Sequence, residues 1–229
     1  MDTGDSGATT SGWLTWQGAG KTVRSPIAVV PTSVLAPNEV SGSGASGSVS
    51  YEATAGKAGS PIRAYGVVSA PLVPGAVPAG AADADLPNYP VTVTADTKAV
   101  QWNIKTVDPA GSIWMVLYKV VNGQMQLLSF EGTGANQASA TVAAPSPGVW
   151  GVLAITLSKP PGADTTAYTM QTNVVTASSG RALKVSPPVA PAAFTPFQVT
   201  ASWSGPPTDK RSTGFVEFPN RAGTVVTLN

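Results

Sequence analysis

The sequence predicts an all-β fold, built from antiparallel β-sandwich modules with essentially no helix. Three observations lead to this prediction. The 229 residues include 24 Gly and 21 Pro but only 11% charged residues, a composition typical of strands joined by tight turns. No apolar pattern with helical spacing is sustained, because Gly or Pro interrupts almost every window long enough to hold one. Runs of alternating apolar and polar residues recur instead, with turn residues between them.

The first predicted element is a hairpin. Its strands lie at residues 13–16 and 23–29, and the glycine-containing segment 17–20 forms the turn between them. A second pair of strands is predicted at 48–53 and 62–68. The segment 72–90 is rich in proline and small residues, which predicts an irregular, partly extended connection.

Well-patterned strands follow this connection. They are predicted at residues 91–94, 99–104, 112–118, 125–130, 137–142, 150–155 and 167–174. Turn residues separate them at the spacing of about 8–12 residues that is typical of a sandwich. Residues 178–180 (Ser-Ser-Gly) indicate a boundary. Four more strands are predicted beyond it, at residues 182–185, 197–203, 213–218 and 224–228.

These elements divide the chain into three predicted parts. Residues 1–35 hold the terminal hairpin and a linker, residues 36–177 form a β-sandwich, and residues 178–229 form a small C-terminal β module. Four strands in about 50 residues are few for a sandwich that buries its own core. Either the strands at 41–70 share a sandwich with this last part, or the last part packs on the middle one, and the sequence leaves both open.

The chain contains no histidine and no cysteine. It therefore lacks the usual proton shuttle, the commonest metal ligand, thiolate nucleophiles and disulfides, which excludes Ser-His-Asp and Cys-His catalysis and ordinary zinc sites. The net charge of +1 provides no field that would attract nucleic acid, and no apolar run approaches the ~20 residues of a membrane span. We expect no catalytic activity, no cofactor, no nucleic-acid partner and no membrane partner.

Acidic residues give only a weak suggestion of a metal site. Asp83 and Asp85 lie near Asn88, and their oxygens are of the kind that calcium prefers. No third acid follows with the spacing of a calcium loop, so a solvated turn is the simpler interpretation and no metal is expected. The remaining carboxylates are scattered over turns and strand ends, and no pair of the kind that glycoside hydrolysis needs is indicated.

Two stretches resemble parts of a known protein family. Ser11-Gly-Trp-Leu-Thr-Trp16, followed by Thr22-Val-Arg-Ser-Pro-Ile-Ala-Val29, resembles the closing hairpin of the fibronectin-III-like domain that follows the catalytic domain in subtilisin-like serine proteases. Only this hairpin is present, so the chain is expected to begin inside such a domain. The resemblance continues from about Pro37 to the end, in Pro37-Asn-Glu-Val-Ser-Gly-Ser-Gly44, Ala82-Asp-Ala-Asp85, Ala167-Tyr-Thr169 and Val199-Thr-Ala-Ser-Trp-Ser-Gly205.

The second stretch resembles the C-terminal region of actinobacterial subtilases, and residues 90–175 also resemble a bacterial pre-peptidase C-terminal domain, a small β-sandwich appended to secreted proteases. The resemblance implies a secreted, non-catalytic accessory region. Its implied partners are an attached or cognate subtilisin-like catalytic domain and insoluble protein or polysaccharide substrate. A structural spacer or self-associating module, in which the hairpin pairs with a second chain, and a carbohydrate-binding module are the alternatives.

Aromatic residues are the candidate binding residues. Along residues 112–118, strand alternation directs Ile113, Met115 and Leu117 to one face and Trp114, Val116 and Tyr118 to the other. The second set forms an aromatic stripe that is predicted to bind a macromolecule or to be covered by another part of the chain. Trp13 lies opposite Leu14 and Trp16 and is a further binding candidate. By contrast, Trp102, Trp150 and Trp203 share strand parity with aliphatic neighbours and are predicted to be core residues.

Overall fold

The computed structural model describes residues 10–29, 34–56, 62–78, 80–82, 85–186, 192–218 and 222–229. These residues form eighteen strands in five sheets and contain no α-helix, which confirms the all-β prediction. No helix in this part of the chain is long and apolar enough to cross a membrane.

The predicted N-terminal hairpin is confirmed. β1 (Thr10–Gly18) and β2 (Lys21–Val29) pair along their whole length and form a separate two-stranded sheet. Ala19 and Gly20 join them, with φ values of 48° and 74°. Two consecutive residues with positive φ form the turn that matches the right-handed twist of paired strands, so this loop fixes the register of the hairpin.

The first sandwich combines strands from two distant parts of the chain. Its inner sheet has the order β4-β18-β17-β6 and its outer sheet the order β15-β16-β5-β3. The strands are β3 (Val34–Leu35), β4 (Glu39–Gly42), β5 (Ser46–Ala55), β6 (Arg63–Val68), β15 (Leu183–Ser186), β16 (Pro196–Ser204), β17 (Ser212–Glu217) and β18 (Gly223–Leu228). The core between the two sheets includes Trp203, which is buried against Gly42 and Gly47 because neither glycine has a Cβ to occupy the space of its ring.

The second sandwich lies between these two parts in sequence. Its inner sheet has the order β12-β9-β14-β7 and its outer sheet the order β11-β10-β13-β8. The strands are β7 (Val73–Pro78), β8 (Asn88–Val93), β9 (Thr97–Thr106), β10 (Ser112–Val121), β11 (Gln124–Glu131), β12 (Gln137–Ala143), β13 (Gly148–Ser158) and β14 (Thr165–Thr176). Trp102 is fully buried in the core and Trp150 packs half-buried against it, as their strand parity predicts.

The strand pairing agrees with the first of the two alternatives that the sequence left open, in which the strands at 41–70 share a sandwich with residues 178–229. β5 pairs with β16, β6 pairs with β17, and β4 pairs in parallel with β18, so the strands of residues 39–68 belong with the C-terminal strands. The second sandwich is thus inserted into the first. The prediction of an irregular, partly extended connection at 72–90 is only partly right, because this segment contains the whole of β7 and the beginning of β8. Both are edge strands, where proline is tolerated since one side of the strand makes no ladder hydrogen bonds.

A polar layer joins the inner sheets of the two sandwiches. It consists of buried residues from four strands: Gln101 and Asn103 of β9, Gln171 and Asn173 of β14, Thr213 of β17 and Thr227 of β18. Gln101 Nε2 donates to Thr227 Oγ1 (2.7 Å), and Gln101 Oε1 accepts from Thr213 Oγ1 (2.8 Å). Asn173 Nδ2 also donates to Thr213 Oγ1 (3.0 Å). Side chains of the two sandwiches therefore satisfy each other's hydrogen-bonding groups, and these bonds fix the position of one sandwich relative to the other.

Apolar contacts and an ion pair complete this interface. Ala99 and Val175 of the second sandwich pack against Phe215 and Val225 of the first, and all four are fully buried. Beside them, Lys98 pairs with Glu217 at 2.5 Å. The four sheets of the two sandwiches are consequently stacked one on another. Each sandwich has an apolar core, and a mixed polar and apolar layer lies between the two sandwiches.

Three buried tyrosines predict a loss of stability at high pH. Burial raises the pKa of Tyr51 from 10.0 to about 12, and burial also raises the pKa values of Tyr118 and Tyr168. The unfolded chain therefore releases these protons at lower pH than the folded protein does. The contribution of the three tyrosines to the free energy of unfolding is thus fully present below about pH 10 and is lost as the pH rises further. Thermal midpoints measured from about pH 8 to pH 12 should fall above pH 10, and Tyr51→Phe should flatten the decrease. A midpoint that stays constant over this range would contradict the prediction.

Candidate binding surface

The outer sheet of the second sandwich carries most of the predicted binding residues. Ile113, Met115 and Leu117 of β10 lie in the core between the two sheets, which confirms the predicted inward set. Trp114, Val116 and Tyr118 consequently point to the other side of the sheet, because successive side chains on a strand alternate. The aromatic stripe is therefore the central row of a larger surface.

The cross-strand register defines the rest of this surface, which we call the outer face. It consists of Met125, Leu127 and Phe130 of β11, Trp114, Val116, Tyr118 and Val120 of β10, Val149, Leu153 and Ile155 of β13, and Asn88, Pro90 and Thr92 of β8. None of these residues is charged. The outer face is therefore uncharged and mainly apolar, and its strands hold it on a rigid support.

Two of the predicted binding residues are not accessible. Val116 is only 4% exposed and Tyr118 only 1%. Tyr118 lies across Gly151, where an added Cβ would be 2.5 Å from the ring, and its hydroxyl donates to Asn88 Oδ1 at 2.6 Å. Burial raises the pKa of this hydroxyl, and the hydrogen bond to Asn88 partly offsets the effect. The structure therefore does not support the prediction that Val116 and Tyr118 contact a ligand directly. Both side chains lie beneath the surface and support it.

Trp114 is half-buried beside them. A Cβ added at Gly132 would lie 2.6 Å from the Trp114 ring, so the ring is in close contact with this glycine. Its Nε1 is buried and has no hydrogen-bond partner in the described part of the chain. Trp114 thus offers an apolar edge to the outer face, while its polar atom is not available to a ligand.

The accessible part of the outer face lies mainly on β11, which the sequence analysis did not single out. Phe130 is 62% exposed, Leu127 58% and Met125 44%. Leu128, at a break in the β10–β11 register, is exposed as well. The sequence signal is the adjacent pair Leu127-Leu128, which interrupts strict alternation and leaves four large apolar residues in a strand of eight.

Trp13 belongs to a different surface. It lies on the separate hairpin sheet, is largely exposed, and carries the Arg24 guanidinium 5.0 Å from its ring centroid. The opposite side of the hairpin is apolar and exposed, and its residues are Leu14, Trp16, Val23 and Ile27. A two-stranded sheet with an exposed apolar face is marginally stable alone, so a contact that covers this face would stabilise the hairpin.

Two cavities near the sandwich boundary are alternatives to the outer face. One, of about 460 Å³, is lined by Lys105, Lys210 and Arg211 among other residues. Arg211 is already held there, since its guanidinium donates to Asn103 Oδ1 at 2.9 Å. The other, of about 480 Å³, contains Glu39 and Glu131. The Glu39 carboxylate accepts hydrogen bonds from Thr227 and Gln101 of the polar layer, which indicates a structural role.

The acidic turn is only partly described by the structure. Asp83 lies outside the described residues, and no group of three or more potential metal-ligating side chains occurs within them. Neither a scan against protein-family models nor a search of curated proteins finds a match. The functional argument therefore rests on the structure. The resemblance to subtilase accessory regions stays a prediction.

Proposed function

We propose that the chain is a non-catalytic binding region whose outer face engages a macromolecular substrate, with extended apolar polypeptide as the preferred ligand. The observation that carries the proposal is the exposure of Met125, Leu127 and Phe130 on a sheet face without charged residues. Large apolar side chains at the centre of a contact provide most of its affinity, and charge contributes mainly to the rate of encounter.

The rest of the fold supports this role by making the face rigid. β10 and β13 are paired on both sides, and their core side chains are buried against the inner sheet. The polar layer then attaches the inserted sandwich to the first one. Since ordering a flexible surface costs free energy on binding, a surface held in this way keeps more of its contact energy as affinity.

The proposal includes the role that the resemblance implies, an accessory region of a secreted subtilisin-like protease. The exposed apolar side of the hairpin supports it, because Leu14, Trp16, Val23 and Ile27 are placed as the residues of an incomplete sandwich would be. In that setting the binding region would hold protein substrate close to the attached catalytic domain and raise its local concentration there.

A carbohydrate-binding module is less well supported by the outer face. Sugar rings bind to aromatic rings that are accessible from one side and to polar groups placed around them. Tyr118 is buried and its hydroxyl is already bonded to Asn88, and the Trp114 Nε1 is buried too. The exposed aliphatic residues of β11 instead match the side chains of an extended polypeptide.

Retention on insoluble material tests the proposal. We expect the chain to bind keratin and collagen and not cellulose or chitin, and Phe130→Ser to weaken binding about ten-fold or more, because burial of a Phe side chain contributes about 1.5–3 kcal/mol. Phe194→Ser is the matched control, since Phe194 is 79% exposed at a site in the first sandwich. Its binding should equal that of the unaltered chain.

Two results would contradict the proposal. One is equal retention of Phe130→Ser and the unaltered chain on every material. The other is selective retention on cellulose or chitin, which would favour the carbohydrate-binding alternative. Circular dichroism of both variants checks that the fold is kept, as expected for substitutions at exposed positions.

A further inference from the structure

β11 is an edge strand that carries neither proline nor lysine. It pairs with β10 on one side, extends over eight residues, and carries no charge before Glu131 at its end. Exposed edges in monomeric proteins are usually short, or they carry proline or lysine that blocks pairing with another chain. The opposite edge of the same sheet, β8, has such a residue in Pro90. The free side of β11 is therefore open to another strand.

A β-bulge gives this strand an unusual symmetry. Leu117 pairs with Ser129 and Tyr118 with Leu127, so Leu128 is an extra residue between them. The bulge reverses the alternation, and the strand reads Gln-Met-Gln-Leu before it and Leu-Ser-Phe-Glu after it. From either end of the strand towards the bond between Leu127 and Leu128, the residues are in turn polar, apolar, polar and apolar.

This symmetry permits an antiparallel pairing of the strand with itself. A two-fold axis perpendicular to the sheet, at the Leu127–Leu128 bond, places Met125 opposite Phe130 of a second copy, and both lie on the outer face. The same axis places Gln126 opposite Ser129 of the second copy, on the inner side. In a strand without the bulge, the same axis would place a residue on the outer side of one copy opposite a residue on the inner side of the other.

We propose that two copies of this chain associate through β11 in this register, joining two four-stranded outer sheets into one continuous sheet. Each copy contributes four exposed apolar side chains, those of Met125, Leu127, Leu128 and Phe130, which cover each other around the axis. Glu131 of one copy lies opposite Gln124 of the other, so no like charges meet. A bulge usually turns an edge away from a partner, but related copies carry the same bulge at the axis and their twists match.

A second copy explains the strand better than a foreign peptide does. An unrelated segment would need apolar residues at alternate positions but no symmetry about the bulge. Only a two-fold related partner requires that the two halves of β11 have the same pattern in opposite directions. The side chains of Met125, Leu127 and Phe130 that contact the second copy are those on which the proposed function rests, so the dimer and a bound polypeptide would compete for β11. The inference goes beyond the proposed function and does not require it, because its test measures association of the chain with itself.

Disulfide trapping tests the register, and the absence of native cysteine makes the result unambiguous. We expect a mixture of Gln126→Cys and Ser129→Cys chains to form disulfide-linked dimers, because directly opposed residues have Cα atoms about 4.5–5.5 Å apart. Each variant alone should form few, since like residues would be about 10 Å apart along the strands and a disulfide requires less than about 7 Å. Both substitutions keep the four apolar side chains intact.

The second measurement is the oligomeric state of the unaltered chain, determined by sedimentation. We expect a monomer–dimer equilibrium between low micromolar and millimolar concentration, and we expect Leu127→Lys to abolish it because two ammonium groups would meet near the axis. Phe194→Lys, which adds the same charge elsewhere on an exposed position, should leave it unchanged. A monomer at every concentration would overturn the proposal, and so would equal cross-linking of either cysteine variant alone and of the mixture.

Discussion

Trp102→Ala should destabilise the protein by about 3–5 kcal/mol, the range found when a large buried aromatic side chain is removed. Trp102 is fully buried in the second sandwich, and its Nε1 donates to the Tyr89 carbonyl oxygen at 3.1 Å. The substitution leaves a cavity between the two sheets and removes the donor for this carbonyl. Urea denaturation should show the loss of free energy of unfolding, and the thermal midpoint should fall on the order of 10 °C.

Trp16→Ala is the matched control for this result. Trp16 lies on β1 and is 60% exposed, so its removal creates no cavity. We expect its free energy of unfolding to stay within about 0.5 kcal/mol of that of the unaltered chain. Equal effects of the two substitutions would mean that the core of the second sandwich is not where the structure places it.

Gln101→Met should cost about 2–4 kcal/mol although it keeps the length and shape of the side chain, because each buried polar group that loses its partner costs about 1–3 kcal/mol. Gln101 is fully buried and bonds to Thr227 and Thr213 of the first sandwich. Methionine provides no acceptor for the Thr213 hydroxyl or the Asn103 amide, whereas Thr227 keeps its hydrogen bond to Glu39. The free energy of unfolding, measured by urea denaturation, should fall by this amount.

The control for the polar layer is Gln198→Met. Gln198 lies on β16 with its side chain exposed, so the same exchange removes no buried hydrogen bond. Its stability should be unchanged. A neutral or stabilising Gln101→Met would show that the layer between the sandwiches does not depend on its hydrogen bonds, and that apolar contacts such as those of Phe215 hold the interface alone.

Local patterns in the sequence predict the elements well. The glycine-containing turn at 17–20 predicts the first hairpin, and alternation along residues 112–118 predicts which side chains enter the core. These features depend only on neighbouring residues. Alternation requires successive side chains to face opposite sides, and a two-residue turn with positive φ needs few residue types.

The arrangement of strands could not be predicted in the same way. β5 and β16 are about 150 residues apart in sequence, and alternation alone is compatible with many partners for either strand. The prolines of the segment 72–90 indicate a strand only if that strand is known to lie at an edge. The sequence therefore leaves two arrangements open, and the structure shows the one in which the second sandwich is inserted into the first.

The sequence predicts which side chains share a face of β10, but not which of them are accessible. Alternation identified the row of Trp114, Val116 and Tyr118, but accessibility depends on residues from other strands. Tyr118 is covered because Gly151, on the neighbouring strand, leaves room for its ring to lie flat. The exposure of Phe130 depends on a bulge, which is a relation between two strands and not a property of either one.

The central proposal is that the chain acts by contact, and a recovery experiment tests this proposal most directly. Heat-denatured collagen would be incubated with the purified, immobilised chain, and the retained polypeptide would be eluted and its mass measured. We predict saturable retention and recovery at unchanged mass. Recovery of shortened fragments, or the absence of retention, would contradict the account.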